Sequence, residues 1–428
     1  MASDGAGGEL AGWLSTADAA RRLGIKKETL YAYVSRGMLG SRRTAGGKES
    51  YFDPAEVTRL AARRGPGGRA GALEMAVDSG LTLLDPGGRL WYRGWDAEAA
   101  CRQASFEEVA EWLWTGARTA PPPPFEVPVA VRGAAAAATN SLPVDTRPVD
   151  RMRLAVVAGA LADPLRFDRR PEAVAAAARR IVALLVDSLP LAETVDGRPP
   201  PGVPADAESV EAGRGSLLVA ERLWRRLSKR PVTGQGVAAL NAALVLLADH
   251  EMASSTLAAR VAASTWADPY LVVSAGLAIL GGPLHGGVSD RLVSLLTDAA
   301  ELGAEQALSG RWRVGEMVAG FGHMVYSGRD PRAEALWPLL VDAWPDHPIV
   351  VATAAVVEAV TAHGDTMPNV DLMLATLVSA ADMIEGAGET IFAVARTAGW
   401  IGHAIEEYSH RLRFRFRAAY TGPPPALA

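Results

Sequence analysis

Gly281-Gly282-Pro283-Leu284-His285-Gly286-Gly287 and Gly320-Phe321-Gly322-His323 each set one histidine in a glycine-rich break. Glycine permits tight turns and lets a ligand approach the backbone closely. A histidine held there is suited to proton transfer or hydrogen bonding near neutral pH. The chain has seven histidines, at 250, 285, 323, 347, 363, 403 and 410. On either side of these breaks the sequence is helical in pattern. Residues 173–186, 217–227, 235–247, 254–264, 349–362 and 390–407 are Ala/Leu/Val-rich runs of helix length, many separated by Gly, Pro or Asp. Strand alternation is scarce. A short hairpin is expected over Thr82–Tyr92, around Asp85-Pro86-Gly87-Gly88. The body is therefore mainly α.

Further toward the N-terminus, Arg63-Arg64-Gly65-Pro66-Gly67-Gly68-Arg69-Ala70-Gly71 reads as a linker. Before it, residues 14–64 hold eleven Lys and Arg against five Asp and Glu. The whole chain of 428 residues carries a formal charge of −5, so a basic segment precedes an acidic body. That asymmetry fits either a solvated surface or an anionic partner such as nucleic acid. Within the segment, Ser15 or Thr16 can cap a helix through Leu23, and Gly24 breaks it. A second helix is expected from about Lys26 to Ser35, with Leu30 and Val34 on one face. Arg42-Arg43 and Tyr51-Phe52 make a small hairpin, and Asp53-Pro54 starts a third helix.

Composition excludes several classes. A single cysteine, Cys101, cannot form an internal disulfide and suits a reducing compartment. No apolar run of membrane-spanning length is present, and residues 1–12 lack the features of an export signal. The expected location is the cytoplasm. There is no HxxxH or CxxC zinc spacing and no P-loop, so no metal site is expected. Gly320-Phe321-Gly322 lacks the third glycine of a dinucleotide fingerprint.

Thr16-Ala17-Asp18-Ala19-Ala20-Arg21-Arg22-Leu23-Gly24-Ile25 and Thr29–Leu39 resemble the winged helix-turn-helix of MerR-type regulators and phage excisionases. The resemblance implies that the second helix enters a major groove and the wing touches phosphates. Its candidate DNA contacts are Lys27, Tyr31, Arg36, Arg42, Arg43 and Lys48. The other reading is a module that only packs or assists assembly.

In the body, Pro283–Gly287, Gly320–His323, Asp330-Pro331-Arg332-Ala333, Pro368-Asn369-Val370-Asp371 and Arg396–His403 follow in the order and spacing of citrate synthases. Tyr92–Asp96, Ser105–Val109, Asp249-His250-Glu251 and Tyr420-Thr421-Gly422 add to the resemblance. It implies a two-domain all-α body with a large and a small domain. The expected layout is a tail at 1–12, the helix-turn-helix at 13–64, the linker at 65–71, the citrate synthase-like body at 72–422 with its small domain inserted at about 288–385, and a tail at 423–428.

The family condenses an acyl-CoA with a 2-oxo acid, usually acetyl-CoA with oxaloacetate, and the CoA thioester is a substrate, with no cofactor. By resemblance Asp371 is the base, His285 stabilises the enolate and His323 polarises the ketone. His250, Arg332 and Arg396 bind the oxaloacetate dianion. A further arginine comes in the family from a partner subunit, which implies a homodimer. Arg415 matches it, with Arg417 as the competing position. Val314, Gly315 and Gly320 occupy the CoA-binding loop, and Arg329 stands in for a basic residue that is Ser327 here. His403 and Trp400 are read as packing.

Several neighbours depart from the family pattern: Val288-Ser289, Met324, Leu372–Ala375 and Phe416. They leave the acyl group open between acetyl, giving citrate, and propionyl, giving 2-methylcitrate. The alternative function is a DNA-binding regulator whose body senses oxaloacetate, citrate or acyl-CoA.

Overall fold

The computed structural model describes residues 13–23, 27–35, 39–43, 50–54, 56–57, 77–85, 88–143, 145–192, 217–282, 288–313, 318–323, 325–326, 328–364, 366–414 and 422. The chain divides into two compact units between Asp78 and Ser79.

The first unit runs β1 (Leu14–Ser15), α1 (Thr16–Leu23), α2 (Lys27–Ser35), β2 (Arg42–Arg43) and β3 (Ser50–Phe52). Ser15 Oγ accepts the Asp18 N–H at 3.2 Å, the cap expected for α1. The hairpin forms as expected, with Arg42 opposite Tyr51. It gains a third strand, because Leu14-Ser15 pairs antiparallel with Phe52-Tyr51, giving the order β1-β3-β2. A two-residue strand carries too little alternation to be seen in sequence. Ala19, Ala20, Leu23, Leu30, Leu39, Phe52 and Val57 form a separate small core. The Val57 N–H bonds the Asp53 carbonyl, the first turn after Asp53-Pro54.

The second unit opens with β4 (Thr82–Leu84), β5 (Leu90–Tyr92) and β6 (Trp95–Asp96), one antiparallel sheet. Helices follow: α3 (Ala97–Gln103), α4 (Phe106–Thr115), α5 (Val129–Thr139), α6 (Pro148–Ala162), α7 (Pro171–Asp187), α8 (Val219–Leu227), α9 (Gly234–Leu247), α10 (Ser254–Ser264), α11 (Pro269–Leu280), α12 (Val288–Leu302), α13 (Ala304–Arg313), α14 (Pro331–Ala343), α15 (Pro348–His363), α16 (Val370–Ala380) and α17 (Ala387–Glu407). Their ends follow local chemistry. A capping box of Ser105 and Glu108 starts α4, and Gly116 at φ 68° ends it. Proline at the first turn starts α6, α7, α11, α14 and α15.

Helix α17 is buried along most of its length and packs against α4, α7, α9, α10 and α11. Glycines allow these approaches. The Trp400 ring lies where a Cβ on Gly276 would stand, 2.5 Å away. Helices α12 to α16 pack on one another, and α14 joins them to α9 and α3. Among the described residues, no helix is long and apolar enough to cross a membrane.

Candidate active site

Two short segments are clasped so that His323 and Asp371 share one place. The Gly322 N–H donates to Met367 O at 2.8 Å, and the Asn369 N–H to Gly320 O at 2.9 Å. Asn369 Nδ2 donates to Gly322 O at 2.9 Å, while its Oδ1 caps the Asp371 N–H at 3.0 Å. Gly320 and Gly322 both take positive φ, 83° and 73°. A Cβ on Gly320 would stand 3.0 Å from Leu292 and 3.1 Å from Leu372, so the clasp needs glycine there.

Asp330 joins this clasp to α14. Its Oδ1 accepts the Arg332 N–H and Nε at 3.0 Å each, and its Oδ2 accepts Arg332 Nη2 at 2.8 Å and the Val370 N–H at 3.0 Å. One buried carboxylate thus caps α14, holds Arg332 bidentately and ties in the start of α16. Burial works against the charged carboxylate of Asp330, but Arg332 and these bonds bring its pKa below the ordinary value.

His323 is set among donors. Nδ1 lies 3.0 Å from the Val325 N–H and 3.3 Å from the Tyr326 N–H. Two backbone donors converge on Nδ1. Burial, then Arg332, pulls the imidazole pKa down to about 4, so the ring is neutral at pH 7. Nε2 lies 3.2 Å from Arg332 Nη2. Arginine only donates, so donors face both nitrogens of the neutral ring, two backbone N–H groups at Nδ1 and Arg332 at Nε2.

Asp371 makes no side-chain hydrogen bond among the described residues, and burial raises its pKa despite the pull of Arg332 and Arg396. An ionised carboxylate without a donor is a stronger base than a solvated one. Arg396 is buried, donates from Nε to Leu247 O at 2.9 Å and lies over Phe392. Its pKa falls to about 10, chiefly through burial, with Asp249 opposing. Its Nη atoms have no partner among the described residues. His250 is buried, its ring centroid 5.1 Å from that of His323. Burial, then Arg332 and Arg396, holds its pKa well below the ordinary value.

The structure therefore brings together His250, His323, Arg332, Asp371 and Arg396, with Gly320 in the clasp. Arg329 is largely exposed and pairs with Glu334 at 2.9 Å. His285, Val314, Gly315, Arg415 and Arg417 lie outside the described residues, as do Arg36, Lys48 and the side chain of Arg43. On α2, Lys27 and Tyr31 are exposed one turn apart, and Arg42 is exposed over the Trp13 ring.

Sequence reasoning missed Tyr326, Asp249 and Asp330. Asp330-Pro331 is a helix-start signature, so its capping role was legible. Asp249 is fully buried and accepts from Thr82 Oγ1 and His403 Nε2. His403 Nδ1 faces Arg260 Nη1 at 2.8 Å, and because arginine only donates, Nε2 must carry the hydrogen toward Asp249. His403 is thus buried as expected, but it links two charged groups as well as packing.

The citrate synthase, C-terminal domain family matches residues 73–417, and a helix-turn-helix domain family matches residues 13–65. Citrate synthase 2 of Bacillus subtilis is 34% identical over 209 residues, 48% of this chain and 56% of that protein. Citrate synthase of Haloferax volcanii is 29% identical over 369 residues, 81% of this chain and 94% of that protein. Citrate/2-methylcitrate synthase of Bacillus subtilis is 31% identical over 288 residues, 66% of this chain and 75% of that protein. A solved ternary complex of carboxymethyl coenzyme A and oxaloacetate with citrate synthase from Thermoplasma acidophilum is 25% identical. It superposes with a TM-score of 0.63 over 82% of this chain and 95% of that one. With its body matched from residue 73 to 417, the chain belongs to the citrate synthase family.

Proposed function

We propose that this protein is an acyl-transferring enzyme that condenses acetyl-CoA, or another short acyl-CoA, with oxaloacetate. The products are citrate, or 2-methylcitrate, and CoA. The observation that carries this reading is the gathering of His250, His323, Arg332 and Arg396 with Asp371, whose carboxylate has no hydrogen bond among the described residues. In the proposed sequence Asp371 removes a proton from the acyl carbon next to the thioester, and His285 donates to the thioester oxygen. The carbon attacks the ketone as His323 stabilises the forming alkoxide. Water then cleaves the thioester and releases CoA. His250, Arg332 and Arg396 hold the dianion, with Arg415 added from a partner subunit.

A homodimer accords with an exposed apolar stripe. Val157 and Leu161, one turn apart on α6, continue into exposed Leu165 and Phe167, and α11, packed on α6, leaves Leu271 and Ile279 exposed. Such stripes mark protein contact surfaces. The matched helix-turn-helix family and the exposed Lys27, Tyr31 and Arg42 favour DNA binding by residues 13–64. The site of action in this reading is the cytoplasm.

The test is thiol release with oxaloacetate, comparing acetyl-CoA and propionyl-CoA. Turnover by the wild type, lowered about 10²–10⁴-fold in Asp371→Ala, is expected, since a positioned general base contributes that much. No thiol release with either thioester would refute the reading.

A further inference from the structure

Helix α17 holds the chain leading to His250 one residue per turn. Arg396 Nε donates to Leu247 O at 2.9 Å, the Gly399 N–H to Ala248 O at 2.9 Å, and His403 Nε2 to the Asp249 carboxylate at 3.2 Å. Residues 396, 399 and 403 are three and four apart, so they share one face of the helix. Three successive residues lie along that face, and His250 follows the last of them. The first two contacts end on backbone. The third joins two buried side chains, His403 at 1% exposure and Asp249 at 0%.

We propose that His403 is a positioning residue for oxaloacetate: its Nε2–H fixes the Asp249 carboxylate and, through it, the place of His250. This deepens the condensation reading and rests on it for its functional consequence.

The far side of the ring is anchored as firmly. Arg260 is fully buried and donates from Nη1 to His403 Nδ1 at 2.8 Å. It also donates to Glu406 at 2.9 Å and to Glu407 at 3.0 Å, so α10 and the end of α17 hold it from two directions. A donor at Nδ1 leaves the ring hydrogen on Nε2, aimed at Asp249. Asp249 Oδ2 accepts from His403 and from Thr82 Oγ1, while Oδ1 has no hydrogen bond among the described residues. Burial works against the Asp249 charge, but His403, Arg396 and Thr82 together bring its pKa below the ordinary value. Without the Nε2–H, a buried carboxylate keeps one donor, and leaving such a group short of partners is costly. Its displacement carries His250 and changes the charge felt by Arg396, two of the groups that hold the dianion. A pocket that is less pre-organised binds its ligand more weakly. Asp371 sits on α16, so the proton-removal step does not depend on this contact.

The experiment compares His403→Gln with His403→Asn in the full-length protein, by calorimetry with oxaloacetate and by thiol release. A glutamine amide offers an acceptor to Arg260 and a donor to Asp249, whereas asparagine is shorter and reaches only Arg260. His403→Asn is expected to weaken oxaloacetate binding about tenfold and to raise its KM alike, the scale of one unsatisfied buried group. The KM for acetyl-CoA and kcat should stay as in wild type, and His403→Gln should restore the affinity. Thr82→Val removes the other donor to the same carboxylate and should weaken binding by a smaller factor. Leu308→Ala, fully buried on α13, is the control for stability alone, with a lower Tm and unchanged affinity. Unchanged affinity in His403→Asn overturns the proposal, as does a glutamine variant as weak as the asparagine one or an equal loss in Leu308→Ala. Where His403→Asn fails to fold, wild-type affinity in Thr82→Val overturns it. Failure of the condensation reading would appear separately, as a wild type that binds oxaloacetate with this pattern of variants but releases no thiol.

Discussion

Asp371 and His323 illustrate how one residue can carry function at a cost to stability. Burial raises the Asp371 pKa above its ordinary 3.8. The folded state then holds the proton more tightly than the unfolded chain. Stability falls as pH rises from 3.8 through the raised value. Asp371→Asn removes that loss, so the variant is expected to melt higher at pH 7 while losing thiol release, and a Tm at or below wild type would contradict this. His323 acts in the opposite direction with pH. Its folded pKa of about 4 lies below the ordinary 6.5, so protonation opposes folding and stability is lost as pH falls between those values. In the proposed reaction both groups need to be deprotonated, so kcat/KM is expected to fall on acidification in a pH–rate profile. These residues differed in legibility. His323 and Asp371 sit in short motifs with glycine or proline beside them. Tyr326 has no such signal, because its hydroxyl meets His250 Nε2 at 3.0 Å across a long separation in sequence.

Helices were legible where their period and ends are local. α10 falls on Ser254–Ser264, as its run of small and apolar residues indicates. The run at 390–407 extends back to Ala387, because Gly386 at φ 77° sets the start of α17. Helices such as α12, α14 and α16 lack an uninterrupted Ala/Leu/Val run, and α14 even contains Pro338. Tertiary packing defines them more than composition does. The contact between α17 and the end of α9 was hidden in the same way. Gly399 donates its N–H to Ala248 O at 2.9 Å, and a Cβ there would stand 2.2 Å from Asp249 Oδ1 and 2.7 Å from Ala248 O. The second of these is backbone and cannot swing aside. Gly399→Ala must therefore shift α17 or the loop that carries Asp249 and His250. Overpacking of this kind costs about 1–3 kcal/mol. The expected result is a lower urea midpoint together with weaker oxaloacetate binding. Gly133 in α5 is the control, since nothing lies within 4 Å of a Cβ there. Gly133→Ala is expected to be neutral or stabilising by up to ~1 kcal/mol. Equal effects at the two positions would show that helix propensity, rather than the close approach, governs Gly399.

At the scale of the molecule, a basic unit and an acidic body share one chain, and a dimer would give both a purpose. The exposed stripe through Val157, Leu161, Leu165 and Phe167 is apolar over a helix and the turn that follows it. In the proposed function a partner subunit supplies an arginine to each site, so a partner covering this stripe would couple assembly to turnover. A dimer would also carry two helix-turn-helix units, and half-sites of such proteins recur at about one helical turn, ~34 Å. Charged residues on the stripe separate these dependencies from the fold, because Leu161 and Phe167 are already exposed and their replacement removes little buried area. Leu161→Glu with Phe167→Glu is expected to halve the mass seen by light scattering while leaving the helical content intact. Thiol release should then drop, because no partner arginine completes the dianion site. DNA affinity should drop as well, and its dependence on salt should become shallower, because one unit neutralises fewer phosphates than two. Arg42→Ala gives the complementary pattern, with weaker DNA binding at unchanged mass and unchanged turnover. A doubly charged variant that stayed dimeric would place the interface elsewhere. One that became monomeric with full turnover would show that each site holds oxaloacetate with Arg332 and Arg396 alone.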